Sequence, residues 1–167
     1  MQKIYLKQEV SFLLILAAIA GISGCKESSL QFTAITENDI TAMIDDVERA
    51  TRDKDSDGVI KHMAPFVIIN VSMETPAGMQ RIQMSRDQYK ELLQKVFSKA
   101  SLHEYRYENA RITISDDRRS AVVETDIIEH IIMEGKETNT TTHEKTVVEI
   151  INGKLLVTSL DALVVNL

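Results

Sequence analysis

The chain of 167 residues has a single cysteine, two prolines and no tryptophan. One cysteine excludes a disulfide within the chain and a zinc site built from several cysteines. The chain has 19 Lys and Arg against 25 Asp and Glu, a net charge of −6, and its basic residues form no cluster. Because nucleic-acid binding relies on clustered Lys and Arg, the sequence predicts no nucleic-acid partner.

The N-terminal segment has the features of an export signal. Lys3 and Lys7 give it a positive start, and residues 10–20 form a mostly apolar run. That run has the length of a signal-peptide core and is short for a membrane span. A transmembrane anchor and a signal peptide without lipidation are the alternatives to the interpretation that follows.

The sequence Ile-Ser-Gly-Cys that ends at Cys25 resembles the lipobox of bacterial lipoproteins. The resemblance implies cleavage before Cys25 and attachment of fatty-acyl chains such as palmitate to its thiol, which gives durable membrane anchoring. Lys26 follows the cysteine, and by the sorting rule of Gram-negative lipoproteins this favours the outer membrane, facing the periplasm. We predict a signal peptide over 1–24, a lipidated tether over 25–35 and one folded domain over 36–167.

Helical patterns dominate the first part of this domain. Thr36 and Asp39 form a predicted capping box, followed by apolar residues at helical spacing up to Arg52. A short second helix should end at Pro65, because proline interrupts helices. Ser85, with Gln88 three residues on, should form a second capping box at the start of a third helix with an apolar face.

Strand patterns follow, with a helix between the second and third. We predict a bulge near residues 108–109, a hairpin turn at Asn152-Gly153, and an edge position for the polar run 138–142. The late strands are apolar on both faces, so one face should cover the helices and the other should bury against a second copy in a homodimer. The predicted strands are 66–72, 80–84, 102–115, 120–133, 138–151 and 155–165.

This order of elements, together with the closing hairpin over 147–159, resembles the nuclear-transport-factor-2-like superfamily, also called SnoaL-like or cystatin-like. The resemblance implies an α+β fold in which a curved antiparallel sheet wraps around three N-terminal helices. It also implies a pocket at the open end of this cone. The fold hosts isomerases, dehydratases, cyclases and binding proteins without catalytic activity, so it does not by itself specify a function.

The candidate pocket residues are titratable side chains of the predicted helices and strands. His103, Tyr105 and Tyr107 should share one strand face, because alternate residues of a strand point the same way. Ketosteroid isomerases of this superfamily pair a carboxylate base with tyrosine, and Asp39, Glu124 or Asp126 could supply that carboxylate here. The predicted pocket residues are Tyr89, His103, Tyr105, Tyr107 and His130; His62, Glu129 and His143 are further candidates.

Two functions remain open at this point. The first is a binding domain without catalytic activity, with a small apolar ligand in the pocket or a protein partner on the sheet, and no cofactor. The second is an isomerase, dehydratase or hydrolase that uses His103, Tyr105 and Tyr107. A pocket carboxylate beside tyrosine, with a raised pKa, would favour the enzyme, whereas an apolar or filled pocket would favour the binding protein or a structural envelope protein.

Asp53, Asp55 and Asp57 match the first half of a calcium-binding EF-hand loop. The loop's last ligand should be a bidentate Glu, but that position is Ala64, and an earlier ligand position is Lys61. We interpret the segment as a solvated turn that caps the second helix, and predict no metal site.

Overall fold

The computed structural model describes residues 31–75 and 78–166 of the chain. The predicted signal peptide and the predicted lipidation at Cys25 lie outside the described residues. Within the described ranges, no helix is both long enough and apolar enough to cross a membrane.

The described residues form three helices and six strands, and the predicted mixture of α and β elements is confirmed. The elements in chain order are α1 (Glu37–Arg52), α2 (Ser56–Ile60), β1 (Met63–Thr75), β2 (Gly78–Met84), α3 (Arg86–Lys99), β3 (Ala100–Ile114), β4 (Ser120–Met133), β5 (Lys136–Ile151) and β6 (Lys154–Asn166).

Both long helices begin with the capping boxes predicted from the sequence. The Thr36 hydroxyl accepts from the Asp39 amide at 3.2 Å, and the Asp39 carboxylate accepts from the Thr36 amide at 2.9 Å. Ser85 and Gln88 make the same reciprocal pair at the start of α3. These bonds satisfy amides that have no partner within the helix, and each cap contributes about 1 kcal/mol.

The sheet has the strand order β2-β1-β6-β5-β4-β3. Neighbouring strands are antiparallel except for β1 and β6, which are parallel. The expectation of a purely antiparallel sheet is therefore corrected at this one pair. The helices cover the concave face of the sheet, and the apolar core between them includes Ile40, Ile69, Val123 and Val148.

Proline does not end α2, contrary to the prediction. The helix ends at Ile60, and Pro65 lies inside β1. The pairing of β1 with β6 shifts register between Met63 and Ile68, so Pro65 sits at an irregularity of the ladder. A residue without an amide hydrogen is tolerated at such a place because the regular hydrogen-bond ladder is already interrupted.

The predicted bulge and the predicted hairpin turn are both confirmed. The register of β3 against β4 shifts between Glu108 and Arg111, and Asn109 has a φ of 55°. Asn152 and Gly153 have φ values of 51° and 75°, as a two-residue hairpin turn requires. Because a bulge bends its strand, the bulge in β3 contributes to the curvature of the sheet around the helices.

The segment before α1 is attached to the domain, although the sequence analysis assigned it to the tether. Ile35 is fully buried, and its amide donates to the Arg118 carbonyl oxygen at 2.8 Å. The Phe32 amide donates to the Gly153 carbonyl oxygen at 2.8 Å. Phe32 and Ile35 therefore contact the folded domain, although the prediction placed them in the tether.

The aspartate-rich segment runs from the turn between α1 and α2 into α2 itself, where Asp57 lies in the first turn. The Lys90 ammonium lies 2.6 Å from the Asp57 carboxylate. Asp55 is the N-cap residue of α2, but its side chain makes no capping hydrogen bond. Gly58 permits close packing of α2 on α1, because an added Cβ would lie 2.8 Å from the Ala50 Cβ. Among the described residues, no group of three or more His, Cys, Asp or Glu could hold a metal ion.

Candidate functional site

A cavity of about 290 Å³ lies between the concave face of the sheet and the helices. Its wall is mainly apolar, with contributions such as Val47 of α1, Leu93 of α3 and Val71 of β1. Polar side chains enter it chiefly from β3, β4 and β5. An apolar wall with a few convergent polar groups is the usual composition of a small-molecule site.

Aromatic side chains form one wall of this cavity. His103, Tyr105 and Tyr107 alternate along β3 and all face the cavity, and Tyr89 of α3 also lines it. The rings of Tyr105 and Tyr107 meet edge to face with centroids 5.3 Å apart. The Tyr105 hydroxyl donates to the Tyr107 hydroxyl at 3.2 Å. The structure thus brings these predicted pocket residues together.

His130, the remaining predicted pocket residue, lies on the opposite face of the sheet. In the pairing of β4 with β3, His130 lies opposite Glu104. The preceding residue in the chain, Glu129, lies opposite Tyr105, and its side chain lines the cavity. The Nδ1 and Nε2 atoms of His130 lie 3.3 and 3.0 Å from the carboxylates of Glu104 and Glu137. Side chains of adjacent strand residues point to opposite faces, so His130 is removed from the candidate pocket.

None of the three nominated carboxylates lies in the cavity. Asp39 is used in the capping box of α1. Glu124 and Asp126 lie on the convex face of the sheet, where the Asp126 carboxylate is 2.6 Å from His143 Nδ1. Hydrogen bonds from Asn109 and then from His143 hold the pKa of Asp126 below its usual value. A pocket carboxylate must therefore come from elsewhere in the chain.

Glu144 of β5 supplies a carboxyl group that sequence reasoning missed. It pairs with Thr125 of β4 and lines the cavity between Thr142 and Thr146. The Thr146 hydroxyl donates to a Glu144 carboxylate oxygen at 2.9 Å. Glu144 is half-buried, with part of its side chain facing the cavity. Burial raises its pKa to about 7, against the opposing effect of the Thr146 hydrogen bond.

The strand that carries Glu144 was expected at an edge of the sheet. Instead, β5 lies between β4 and β6, so one face of its polar segment is turned to the helices. The alternation of Thr142, Glu144 and Thr146 is the sequence signal that could have indicated a polar strip on one strand face. That signal does not reveal which face of the sheet the strip lies on.

The phenols of the cavity are neutral hydrogen-bond donors. Burial raises the pKa of Tyr89, Tyr105 and Tyr107, and the nearby Glu144 carboxylate raises each further. All three side chains therefore remain protonated at physiological pH. A ligand in the cavity meets hydroxyl groups rather than phenolate anions.

Two imidazoles at the cavity are each held by a carboxylate. His103 Nε2 lies 2.6 Å from Glu129, and its side chain is only 4% exposed. His62 Nε2 lies 2.6 Å from Asp46. Hydrogen bonds from Lys61 and then from His62 hold the pKa of Asp46 below its usual value. Both rings are thereby oriented by an acidic partner, as in sites that use histidine for proton transfer.

No protein-family model matches this sequence, and a search of curated proteins finds no match. Solved structures, in contrast, match its fold. An NTF2-like protein from Cytophaga hutchinsonii superposes with a TM-score of 0.60 at 13% identity, over 78% of this chain and 100% of the other. An NTF2-like protein with a cystatin-like fold from Novosphingobium aromaticivorans gives 0.58 at 8% identity, over 77% and 80%.

A third match is named as a candidate scytalone dehydratase, also from Novosphingobium aromaticivorans. Its TM-score is 0.58 at 12% identity, over 75% of this chain and 81% of the other. The architecture predicted from the sequence is therefore confirmed: the chain has the NTF2-like, SnoaL-like fold, with a curved sheet around three helices. At these identities the likeness concerns the fold alone, because this fold hosts many unrelated activities.

Proposed function

We propose that this chain is a lipid-anchored protein of the bacterial envelope whose domain binds a small, mostly apolar organic molecule inside its cone. The lipobox at Cys25 supports the anchor, and Lys26 supports the outer membrane. The mainly apolar cavity of about 290 Å³ with a few neutral hydroxyl groups carries the binding proposal. A pocket of this composition buries the body of an organic ligand and orients it with a few polar contacts.

Native mass spectrometry of the protein purified from its host tests the binding proposal. We expect the folded chain to retain an additional small mass, or to acquire one from a panel of lipophilic metabolites. Val71→Trp, which fills the cavity wall, should abolish this, and Val122→Trp on the convex face is the matched control. Failure of every panel member to bind would contradict the proposal.

The anchor and its destination have separate tests. Cys25→Ser should abolish labelling by palmitate, and labelling that persists would contradict lipidation. Lys26→Asp should move the protein from outer-membrane to inner-membrane fractions. An unchanged distribution would contradict the sorting proposal and leave the anchor untouched.

A second candidate function is proton-transfer catalysis in the same cavity. Glu144 is a cavity carboxyl group close to tyrosine with a raised pKa, which is the feature that the sequence analysis gave as favouring an enzyme. A carboxyl group with a pKa near 7 can accept and return a proton at neutral pH. Its carboxylate would remove a proton from a carbon next to a substrate carbonyl, and a tyrosine hydroxyl would donate to the enolate oxygen that forms. If a C=C double bond lies next to the enolate, the Glu144 carboxyl group can return the proton to the far carbon of that double bond, which completes an isomerisation. If the carbon beside the enolate carries a hydroxyl group, that group leaves as water with the proton from Glu144, which completes a dehydration. One of the solved structures with this fold is named as a candidate scytalone dehydratase.

Deuterium exchange tests this second candidate without knowledge of the true substrate. A panel of lipophilic ketones in deuterated water is followed by NMR for exchange of the hydrogens beside the carbonyl. Wild type should accelerate exchange in at least one ketone, and Glu144→Gln should reduce that acceleration by about 100-fold. Glu124→Gln is the control. Equal rates for wild type and Glu144→Gln would contradict a catalytic role.

A further inference from the structure

Two glutamates line the cavity, and one of them lacks a basic partner among the described residues. Glu129 and Glu144 line it, whereas no Lys or Arg of the ranges 31–75 and 78–166 does. A bound carboxylate or phosphate would therefore meet two acidic side chains and no permanently charged cation. Such an arrangement disfavours anionic ligands, because a charge taken out of water needs an opposite partner.

Histidine does not supply the missing positive charge to Glu144. His103 is bonded to Glu129 and His62 to Asp46, each at 2.6 Å, so a proton on either ring is balanced by its own carboxylate. In the described part of the chain, the hydrogen bond to the Glu144 carboxylate comes from the neutral hydroxyl of Thr146. Glu144 is thus the cavity carboxyl group that has no cationic partner among the described residues.

Tyrosine rings border the same space. Tyr105 and Tyr107 pack edge to face, with an interplanar angle of 87°, and both side chains line the cavity. Tyr89 approaches from α3, and the Glu144 charge acts on all three phenols. Ring faces are electron-rich and attract cations, most strongly in sites shielded from water.

From these observations we propose that the ligand of this cavity is an organic cation, an apolar body carrying an ammonium group that pairs with Glu144 and contacts the tyrosine rings. This inference rests on the proposed ligand-binding function and names the chemical class of the ligand. The ammonium group supplies the charge that the cavity lacks, and the apolar wall accommodates the remainder of the molecule.

Cation binding should also change the proton content of the site. In the empty cavity, burial holds the pKa of Glu144 near 7. A cation at the carboxylate lowers that pKa, so binding at neutral pH releases the proton from those molecules in which Glu144 is protonated. The other titratable groups that line the cavity are His62, Tyr89, His103, Tyr105, Tyr107 and Glu129.

A matched series of probes tests the proposal on the purified full chain by isothermal titration calorimetry. The probes are 2-phenylethylamine, 2-phenylethanol and phenylacetate, which share one apolar body and carry a positive, a neutral and a negative group at neutral pH. We expect the amine to bind about tenfold more tightly than the alcohol, and phenylacetate to bind most weakly. Repeating the amine titration in two buffers with different heats of ionisation should reveal the released proton.

Glu144→Gln should reduce the affinity for the amine to that for the alcohol, whereas Glu124→Gln should leave the affinity for both unchanged. Equal or tighter binding of the alcohol to wild type would overturn the cation proposal and leave the ligand-binding function standing. Tightest binding of phenylacetate would overturn it as well. A preference for the amine that survives Glu144→Gln would overturn the assignment to Glu144. Binding of none of the three would count against both proposals.

Discussion

Each face of the sheet carries a histidine paired with a carboxylate, and the two histidines have opposite surroundings. On the concave face, His103 lies 2.6 Å from Glu129 with its side chain 4% exposed. On the convex face, His143 lies 2.6 Å from Asp126 with its side chain 56% exposed. Distance alone therefore does not indicate a functional pair. The difference lies in the histidines, because the two carboxylates are similarly exposed, Glu129 at 31% and Asp126 at 28%. Burial of His103 strengthens its interaction with Glu129, whereas water screens the charge of His143.

The convex face is less apolar than the sequence suggested. Glu124, Lys145 and Asp161 pair in register across β4, β5 and β6, and form a row of alternating charge. The Asn70 side-chain amide extends this row by donating to the Asp161 carboxylate at 2.8 Å. Apolar residues such as Ile128 lie beside the row. The homodimer predicted from the two-sided apolar pattern would have to accommodate this polar row, and it stays a prediction.

Replacing neighbouring isoleucines of β4 should give the largest difference between the two faces. Ile127 is 5% exposed and faces the cavity, whereas Ile128 is half-buried on the convex face. We expect Ile127→Ala to lower the free energy of unfolding by about 2–4 kcal/mol, and Ile128→Ala by less than about 1 kcal/mol. Urea unfolding measures both values.

Equal losses of unfolding free energy for Ile127→Ala and Ile128→Ala would contradict the expected contrast between the faces. They would indicate that the convex face is covered in solution. Sedimentation velocity of wild type and Ile128→Lys then tests the homodimer directly. A dimer that the lysine converts to monomer would support the predicted interface. A wild-type monomer would contradict the prediction of a homodimer.

The pH dependence of stability should distinguish Glu144 from carboxylates of the convex face. Its pKa is raised in the folded protein to about 7 from 4.5, so the folded state binds more protons between these values. Stability must then fall as pH rises through this window. Glu144→Gln removes the penalty and should be more stable than wild type by about 1–3 kcal/mol at pH 8, with no difference at pH 4.

Glu124→Gln is the matched control for this measurement, because Glu124 is exposed on the convex face. Its stability should follow that of wild type across the whole pH range. Thermal unfolding between pH 4 and 8 gives the three curves. Parallel curves for wild type and Glu144→Gln would show that the Glu144 carboxyl group has an ordinary pKa.

Direct titration by carbon-detected NMR should show the same contrast within one sample. The Glu144 carboxyl signal should shift with a midpoint near pH 7, because burial disfavours its charged form. The Asp126 signal should titrate below the usual range of aspartate, because Asn109 and His143 hydrogen-bond to its charged form. Equal titration midpoints for Glu144 and Asp126 would contradict the expected difference in carboxyl pKa between the two faces.

The smallest expected change concerns the hydroxyl group beside Glu144. The Thr146 hydrogen bond stabilises the charged carboxylate and so lowers its pKa against the effect of burial. Thr146→Val should raise the NMR midpoint of Glu144 by a fraction of a pH unit to about one unit, since one hydrogen bond to a charged group is at stake. Thr141→Val on the convex face is the control. A lower midpoint in Thr146→Val would contradict this account.

Much of the fold was predictable because its signals are local. The capping pairs Thr36/Asp39 and Ser85/Gln88 lie within one helical turn, and the turn at Asn152-Gly153 requires only two residues. The alternation of His103, Tyr105 and Tyr107 placed those three side chains on one face, since strand periodicity is a property of the backbone. The end of α2 at Pro65 was predicted wrongly because the break in the β1 ladder accommodates the proline.

The sequence by itself determined where the two long helices begin, where the closing hairpin turns, and which residues share a strand face, because neighbouring residues decide these features. Only the tertiary structure decided which face became the cavity. The interior position of β5 turned Glu144 toward the helices, and the register of β4 turned His130 away from them. Burial depends on strands far apart in the chain, so the raised pKa of Glu144 arises only when the folded sheet and helices bury it.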